Sequence, residues 1–266
     1  MKESLGDLIK GYEANYNITL PKRCPHIIRL DMRAGHNFTK GFDKPYDSIF
    51  IKSMYETMYY LCKNIPGCQF GYVESDEISL LIYETSPEAE PWFANRIQKI
   101  CSISASMATL QFNRIFKQQV DYFESTHKDG GSNRDFELIS NYKVAMEKDA
   151  MFDSRVFVIP ESVIGPYFIW RQNDCTRNSI LGISQKYMSH KEMQGLKCND
   201  LQNVLLTKYN VNWNNFSIVE KRGTCSYKVL VDKEKDRHDW VLDFVMPILM
   251  DDREFVVSKI TYPKED

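Results

Sequence analysis

Three carboxylates stand where two strand ends would meet. Asp31 closes the run His26-Ile-Ile-Arg-Leu-Asp31, and Asp76 and Glu77 sit in the turn between the strand-like runs 69–73 and 78–83. Brought together, such groups repel unless protons or a divalent cation neutralise them. Hard carboxylate oxygens suit Mg²⁺, which takes one or two carboxylates and completes its shell with water and phosphate. Two such ions close together would activate an attacking hydroxyl and hold a leaving pyrophosphate. Taken singly, Asp31 also reads as a strand-end cap, and Ser75-Asp76-Glu77 as plain turn chemistry. Basic residues crowd in after Asp31: Arg33, His36, Lys40 and Lys44, with Gly35 allowing close approach of a ligand to the backbone. They suit a phosphate ligand, and no P-loop or dinucleotide glycine motif offers another cradle.

The elements that must position these groups follow from hydrophobic period and capping. A helix is expected over 3–14 and a buried strand over 26–31. Asp47 is a good N-cap for a helix running to about Asn64, with Phe50, Ile51, Met54, Met58, Leu61 and Cys62 on one face. After the two strand-like runs, residues 91–113 read as a long helix, 127–133 as a polar loop and 155–159 as a strand. The order is β-α-β-β-α-β, the ferredoxin-like arrangement of an α+β fold, in which the strand ending at Asp31 neighbours the hairpin carrying Asp76. Residues 161–209 read as mostly helical and the remainder as mixed. A catalytic region over 1–160 and a helical or mixed region over 161–266 packed on it are expected, with a soft boundary.

The 266 residues are 43% hydrophobic and 26% charged, which excludes collagen-like, disordered and membrane-spanning chains. Seven cysteines without a C-x-x-C pair read as reduced thiols. With no apolar leader, a cytoplasmic setting is expected. A net charge of -2 sits badly with a nucleic-acid partner. The imbalance is regional, however, because residues 165–230 carry nine basic against four acidic side chains.

Six blocks, in order, resemble the tRNA(His) guanylyltransferase family. Asp31-Met-Arg-Ala-Gly-His36 is similar to its D-G-R-x-F-H, Phe42-Asp-Lys-Pro-Tyr-Asp47 to F-x-K-P-N-D, and Gly71-Tyr-Val-Glu-Ser-Asp-Glu77 to G-Y-x-Q-S-D-E. Phe152-Asp-Ser-Arg-Val156 resembles F-D-[GA]-R-V, and Trp170-Arg-Gln-Asn-Asp174 resembles W-R-Q-x-D. Asn212-Trp-Asn-Asn215 with Lys221-Arg-Gly-Thr224 looks like N-x-N-Y-N followed by R-K-G-T.

The resemblance implies a polymerase- and cyclase-like palm and nucleotide addition in the 3′-to-5′ direction. It implies that Asp31, Asp76 and the main-chain carbonyl of Met32 bind two Mg²⁺, with Glu77 beside them. The 32–36 backbone (Met32, Arg33, Ala34, Gly35, His36), Lys44, Asp47 and Ser75 would hold a nucleoside triphosphate. On one helix, Arg171, Asp174, Arg177 and Asn178, together with Lys221 and Arg222, become candidates for the activating ATP or the tRNA. ATP and GTP are the implied substrates, tRNA the implied partner and a homotetramer the implied assembly. Three departures stand out: Met32 replaces glycine, Gly35 replaces phenylalanine, and Thr176-Arg-Asn-Ser179 replaces the H-I-N-N of the eukaryotic enzymes. The last favours template-dependent 5′-end repair, as in the prokaryotic guanylyltransferase-like proteins, over addition of G-1 to tRNA(His). A nucleotidyl cyclase on the same palm and a non-catalytic tRNA-binding protein are the rival readings.

Overall fold

The computed structural model describes residues 4–86, 88–232, 235 and 237–262. In chain order it has α1 (Leu5–Ala14), β1 (His26–Met32), α2 (Gly35–Phe38), α3 (Ser48–Asn64), β2 (Cys68–Glu74) and β3 (Glu77–Ile82). There follow α4 (Ile97–His127), α5 (Asn133–Lys148), β4 (Phe152–Val158), α6 (Ile164–Tyr187), α7 (His190–Met193), α8 (Cys198–Tyr209), α9 (Ile218–Arg222), β5 (Thr224–Asp232) and β6 (Arg237–Asp243). Residue 3, the first of the expected N-terminal helix, lies outside the described residues.

The strands form one antiparallel sheet in the order β4-β1-β3-β2-β5-β6. Its first four strands, with α3 joining β1 to β2 and α4 between β3 and β4, are the expected ferredoxin-like core. Residues 161–266 contribute in two ways: α6 covers a face of the sheet, while β5 and β6 lengthen it beyond β2. Both faces are therefore buried. Ile28, Leu30, Ile78 and Leu80 pack against the apolar stripes of α3 and α4 on one side. Ile27, Phe70, Tyr72 and Leu81 pack against Tyr167 and Phe168 of α6 on the other. Every residue of β2 is buried, as expected of a strand covered on two sides.

The helix expected over 91–113 is displaced. Phe93, Ala94 and Asn95 adopt left-handed backbone, so α4 begins only at Ile97. Its apolar stripe then continues through Ile115, Phe116 and Val120, carrying the helix to His127. A second helix, α5, follows the polar loop and is fixed by a capping box between Ser132 and Asp135.

That second helix matters to the site because it fastens the loop between α2 and α3. Arg134 donates to the Asp43 carboxylate at 2.9 and 3.1 Å. Asn141 donates to the Gly41 carbonyl at 3.0 Å, and the Tyr142 hydroxyl to Asp47 Oδ2 at 2.6 Å. Beneath the loop, Phe38 and Phe42 pack with Phe50, Phe112 and Phe116 at centroid separations of 5.3–6.5 Å. Each such aromatic pair adds about 0.5–1.5 kcal/mol beyond the area it buries.

Candidate active site

Asp31 lies opposite Glu77 of β3 and opposite Asp153 of β4 in the strand register, so all three carboxylates rise from one face of the sheet. Asp76 approaches from the β2–β3 turn, and the Met32 N–H donates to the Asp76 carbonyl at 3.1 Å, tying strand end to turn. Burial, and then the charges of Asp76 and Asp153, push the Asp31 carboxyl above its ordinary pKa. Neither the Asp31 nor the Asp76 carboxylate is taken by a hydrogen bond or an ion pair among the described residues.

Two free hard-oxygen donors in a negative setting fit Mg²⁺, which keeps most of its water and phosphate ligands. Among the described residues no group of three or more His, Cys, Asp or Glu side chains forms a ready-made cage. The neighbours of this pair are already occupied. Asp153 pairs with Arg155 at 3.4 Å, and Glu77 lies 3.8 Å from Arg29 and 2.9 Å from Arg171.

Beside the acidic pair opens a cavity of about 390 Å³, a size suited to a nucleotide-like ligand. Gly35, His36, Lys44, Asp47, Ser75 and Asp76 line it, with Asn178 and Ser179 opposite. The cavity thus gathers most of the expected nucleotide-binding residues. Arg33 and Ala34 lie outside its lining and are exposed at the strand end. Lys44 and His36 are also exposed and have no ion-pair partner among the described residues. Asp47 is committed within the fold: it caps α3 through Phe50 N–H at 2.9 Å and accepts from Tyr142 and from the Asp43 N–H. Tyr46, in the same loop as Lys44 and Asp47, ties it to α6, its hydroxyl meeting Ser179 Oγ at 2.5 Å, while the Trp213 indole donates to the same oxygen at 2.9 Å.

The α6 candidates divide by exposure. Arg177 and Asn178 are exposed, and both interact with Asp174. Arg171 is only 6% exposed and faces Glu74, Glu77 and Asp174. Lys221 is buried as well, donating to the Asn214 carbonyl at 2.7 Å with its ammonium 5.4 Å from the centre of the Trp213 ring. Arg222 is half-buried, and its carbonyl accepts from the Tyr72 hydroxyl.

Residues 6–160 match the family described as tRNAHis guanylyltransferase. The chain belongs to the tRNA(His) guanylyltransferase family. Like its members, it is a nucleotidyltransferase. A bacterial tRNA(His) guanylyltransferase-like protein in complex with ATP is 36% identical with a TM-score of 0.79, covering 98% of this chain and 100% of that one. A bacterial protein of the same description in complex with GTP is 36% identical with a TM-score of 0.76, covering 97% and 99%. The tRNA(His) guanylyltransferase of Debaryomyces hansenii is 26% identical over 237 residues, 84% of this chain and 80% of its own.

Against the family motif, the two departures after Asp31 have a structural account. The Met32 side chain is 3% exposed and joins the core between the sheet and α3 and α4. At position 35 a Cβ would stand 2.1 Å from Asp76 Oδ2, so the acid fills the space that a larger residue would take. Among the described residues, no helix is long and apolar enough to cross a membrane.

Missing from the sequence-based set are Asp153, Arg155 and Arg29. Register pairs Asp153 with Asp31 and Arg155 with Arg29. The signal was present in the Phe152–Val156 block, but the strand was expected to begin at Arg155, which left Asp153 outside it.

Proposed function

We propose that this protein adds nucleotides to the 5′ end of tRNA in the 3′-to-5′ direction, as a template-dependent 5′-end repair polymerase. The observation that carries the reading is the unpaired Asp31–Asp76 pair at the edge of a cavity walled by Lys44, Asp47 and Ser75. Asp31, Asp76 and the Met32 carbonyl would hold two Mg²⁺. When bound, the metal neutralises charge at phosphorus and lowers the pKa of the attacking hydroxyl.

The chain's own residues do the positioning. Lys44, with Arg33 and His36, faces the triphosphate of the bound nucleotide, and Ser75 donates to it from the turn. Asp47 keeps the Lys44 loop in place through its cap and its bond to Tyr142. In the first step the 5′-monophosphate attacks ATP, giving a 5′-5′ adenylylated end and pyrophosphate. In the second, the 3′-hydroxyl of the incoming NTP attacks that end and AMP leaves. A 5′-triphosphorylated RNA needs no activation. Arg177 and Asn178, exposed on α6, and Arg222 are the residues assigned to the RNA or the activating ATP. The resemblance gives a tetramer as the working assembly and ATP and GTP as substrates. Structures of related bacterial proteins in complex with these two nucleotides support the latter.

Repair is preferred to obligatory G-1 addition because Thr176–Ser179 lacks the H-I-N-N segment of the eukaryotic enzymes. Parallel assays on 5′-truncated tRNAs and on intact tRNA(His) test the choice. The repair reading predicts extension of the truncated tRNAs up to the paired end, with each of the four nucleotides entering opposite its complement. Efficient G-1 addition to intact tRNA(His), with truncated tRNAs left unextended, would reverse it.

A further inference from the structure

The turn that carries Asp76 is not rigid by its own chemistry. Ser75 stands at φ +47°, a left-handed conformation that side chains other than glycine seldom adopt, and it is exposed. Its stems are held from outside. From α6, the Arg171 guanidinium donates through Nη2 to the Glu74 carboxyl group at the end of β2. It meets Glu77, at the start of β3, through Nε at 2.9 Å, as an ion pair without hydrogen-bond geometry. Asp174, one turn along the same helix, lies 3.5 Å from Nη2. The guanidinium also stacks 4.6 Å from the centre of the Trp170 ring. One planar cation therefore spans both stems of the turn. Arg171 and Glu74 are 6% and 5% exposed, which leaves no face of the guanidinium for an RNA phosphate.

We propose that Arg171 is a positioning residue of the acidic centre: by bridging Glu74 and Glu77 it sets the β2–β3 turn so that Asp76 meets Asp31. The Glu77 carboxylate, held between Arg171 and Arg29, serves this bridge rather than the metal. The inference rests on the two-metal reading of Asp31 and Asp76. It separates residues that sequence spacing groups together: on α6, Arg177 and Asn178 face solvent, whereas Arg171 acts on the turn. Lysine cannot replace this arginine, because an ammonium is a point charge and cannot reach two carboxyl groups in one plane.

The test is Mn²⁺ binding to the full-length protein, followed by electron paramagnetic resonance without nucleotide or RNA. Alongside it, tRNA affinity is measured in EDTA across a salt series. Wild type should bind Mn²⁺ and Asp76→Ala should not, which checks the underlying reading. Arg171→Lys should weaken Mn²⁺ binding about 10- to 100-fold, the usual effect of losing a partner that orients a ligand. Its tRNA affinity and salt slope should match wild type. Glu74→Ala, which frees one stem and leaves the cation in place, should give the same weakening and guards against misfolding of the lysine variant. Wild-type Mn²⁺ affinity in a folded Arg171→Lys protein overturns the proposal. So does a metal-independent loss of tRNA affinity with the salt slope reduced by about one phosphate contact. Absence of Mn²⁺ binding in wild type overturns the two-metal reading, and the bridge with it.

Discussion

Glu74 stands where the family motif carries glutamine, and its surroundings explain why the exchange is tolerated. Burial pushes its carboxyl up to about 8, against the pull of Arg171 and with the help of Glu77 and Asp174. At neutral pH Glu74 is thus largely protonated and presents the same neutral, hydrogen-bonding shape as glutamine. The consequence for stability has a definite sign. Between the ordinary glutamate pKa of about 4.3 and the native value, the folded protein binds more protons than the unfolded chain, so stability falls as pH rises. At about 1.4 kcal/mol for each pH unit between these two values, the loss in the fully ionised protein is on the order of 5 kcal/mol. Glutamate at this site is 5% exposed, so solvent screens little of this cost.

Glu74→Gln removes the titration. It leaves Arg171 paired with Glu77 and Asp174, so no cation is stranded. Urea unfolding of the metal-free protein, with EDTA present, measures the effect from pH 5 to pH 9. The variant should match wild type near pH 5 and gain stability progressively, becoming a few kcal/mol more stable by pH 9. A wild type that is equally or more stable at pH 9 would refute the reasoning. It would mean that the Arg171 ion pair outweighs burial and holds Glu74 ionised.

Three further substitutions probe how the site is built. Gly71→Ala places a Cβ 2.3 Å from Cys62 Sγ and 2.7 Å from Met58 Sδ, and should cost about 1–3 kcal/mol by overpacking between β2 and α3, read as a lower urea midpoint. An unchanged midpoint would show that the helix yields without cost. Lys221→Met should lower stability while leaving the salt slope of tRNA binding intact, because its ammonium is engaged with Asn214 and Trp213. Arg177→Ala should do the reverse, with little effect on the urea midpoint and a salt slope reduced by about one. The opposite pattern in the two variants would exchange their roles.

Much of the fold was legible because its signals are local. Asp47 caps α3 as its position before an apolar stripe predicts, and the two apolar strand runs around Asp76 turn where expected. The displaced start of α4 was not legible, since three consecutive left-handed residues follow no propensity rule. Helix α5, absent from the expected elements, does carry a signal, with Leu138, Ile139, Tyr142 and Ala145 at helical spacing behind its capping box, and it fastens the Lys44 loop. At the site, the pairing of Asp31 with Asp76 follows from topology, because the fold makes β1 and β3 neighbours. Burial of Arg171 and Lys221 does not. A cation in a charged segment reads as surface until the partners that accept it, here Glu74, Glu77 and the Asn214 carbonyl, are brought in from distant parts of the chain.

The most direct test of the account is the 5′-end chemistry of Asp31→Ala and Asp76→Ala. Each is given a 5′-monophosphorylated, 5′-truncated tRNA, ATP, Mg²⁺ and labelled GTP, and the adenylylated end and the extended product are resolved on a gel. The account predicts that wild type forms first one and then the other. Either variant should lose both steps by about 1,000-fold, because one acidic centre serves both displacements at phosphorus. A folded variant that still adenylylates or extends the RNA within tenfold of wild type would contradict it.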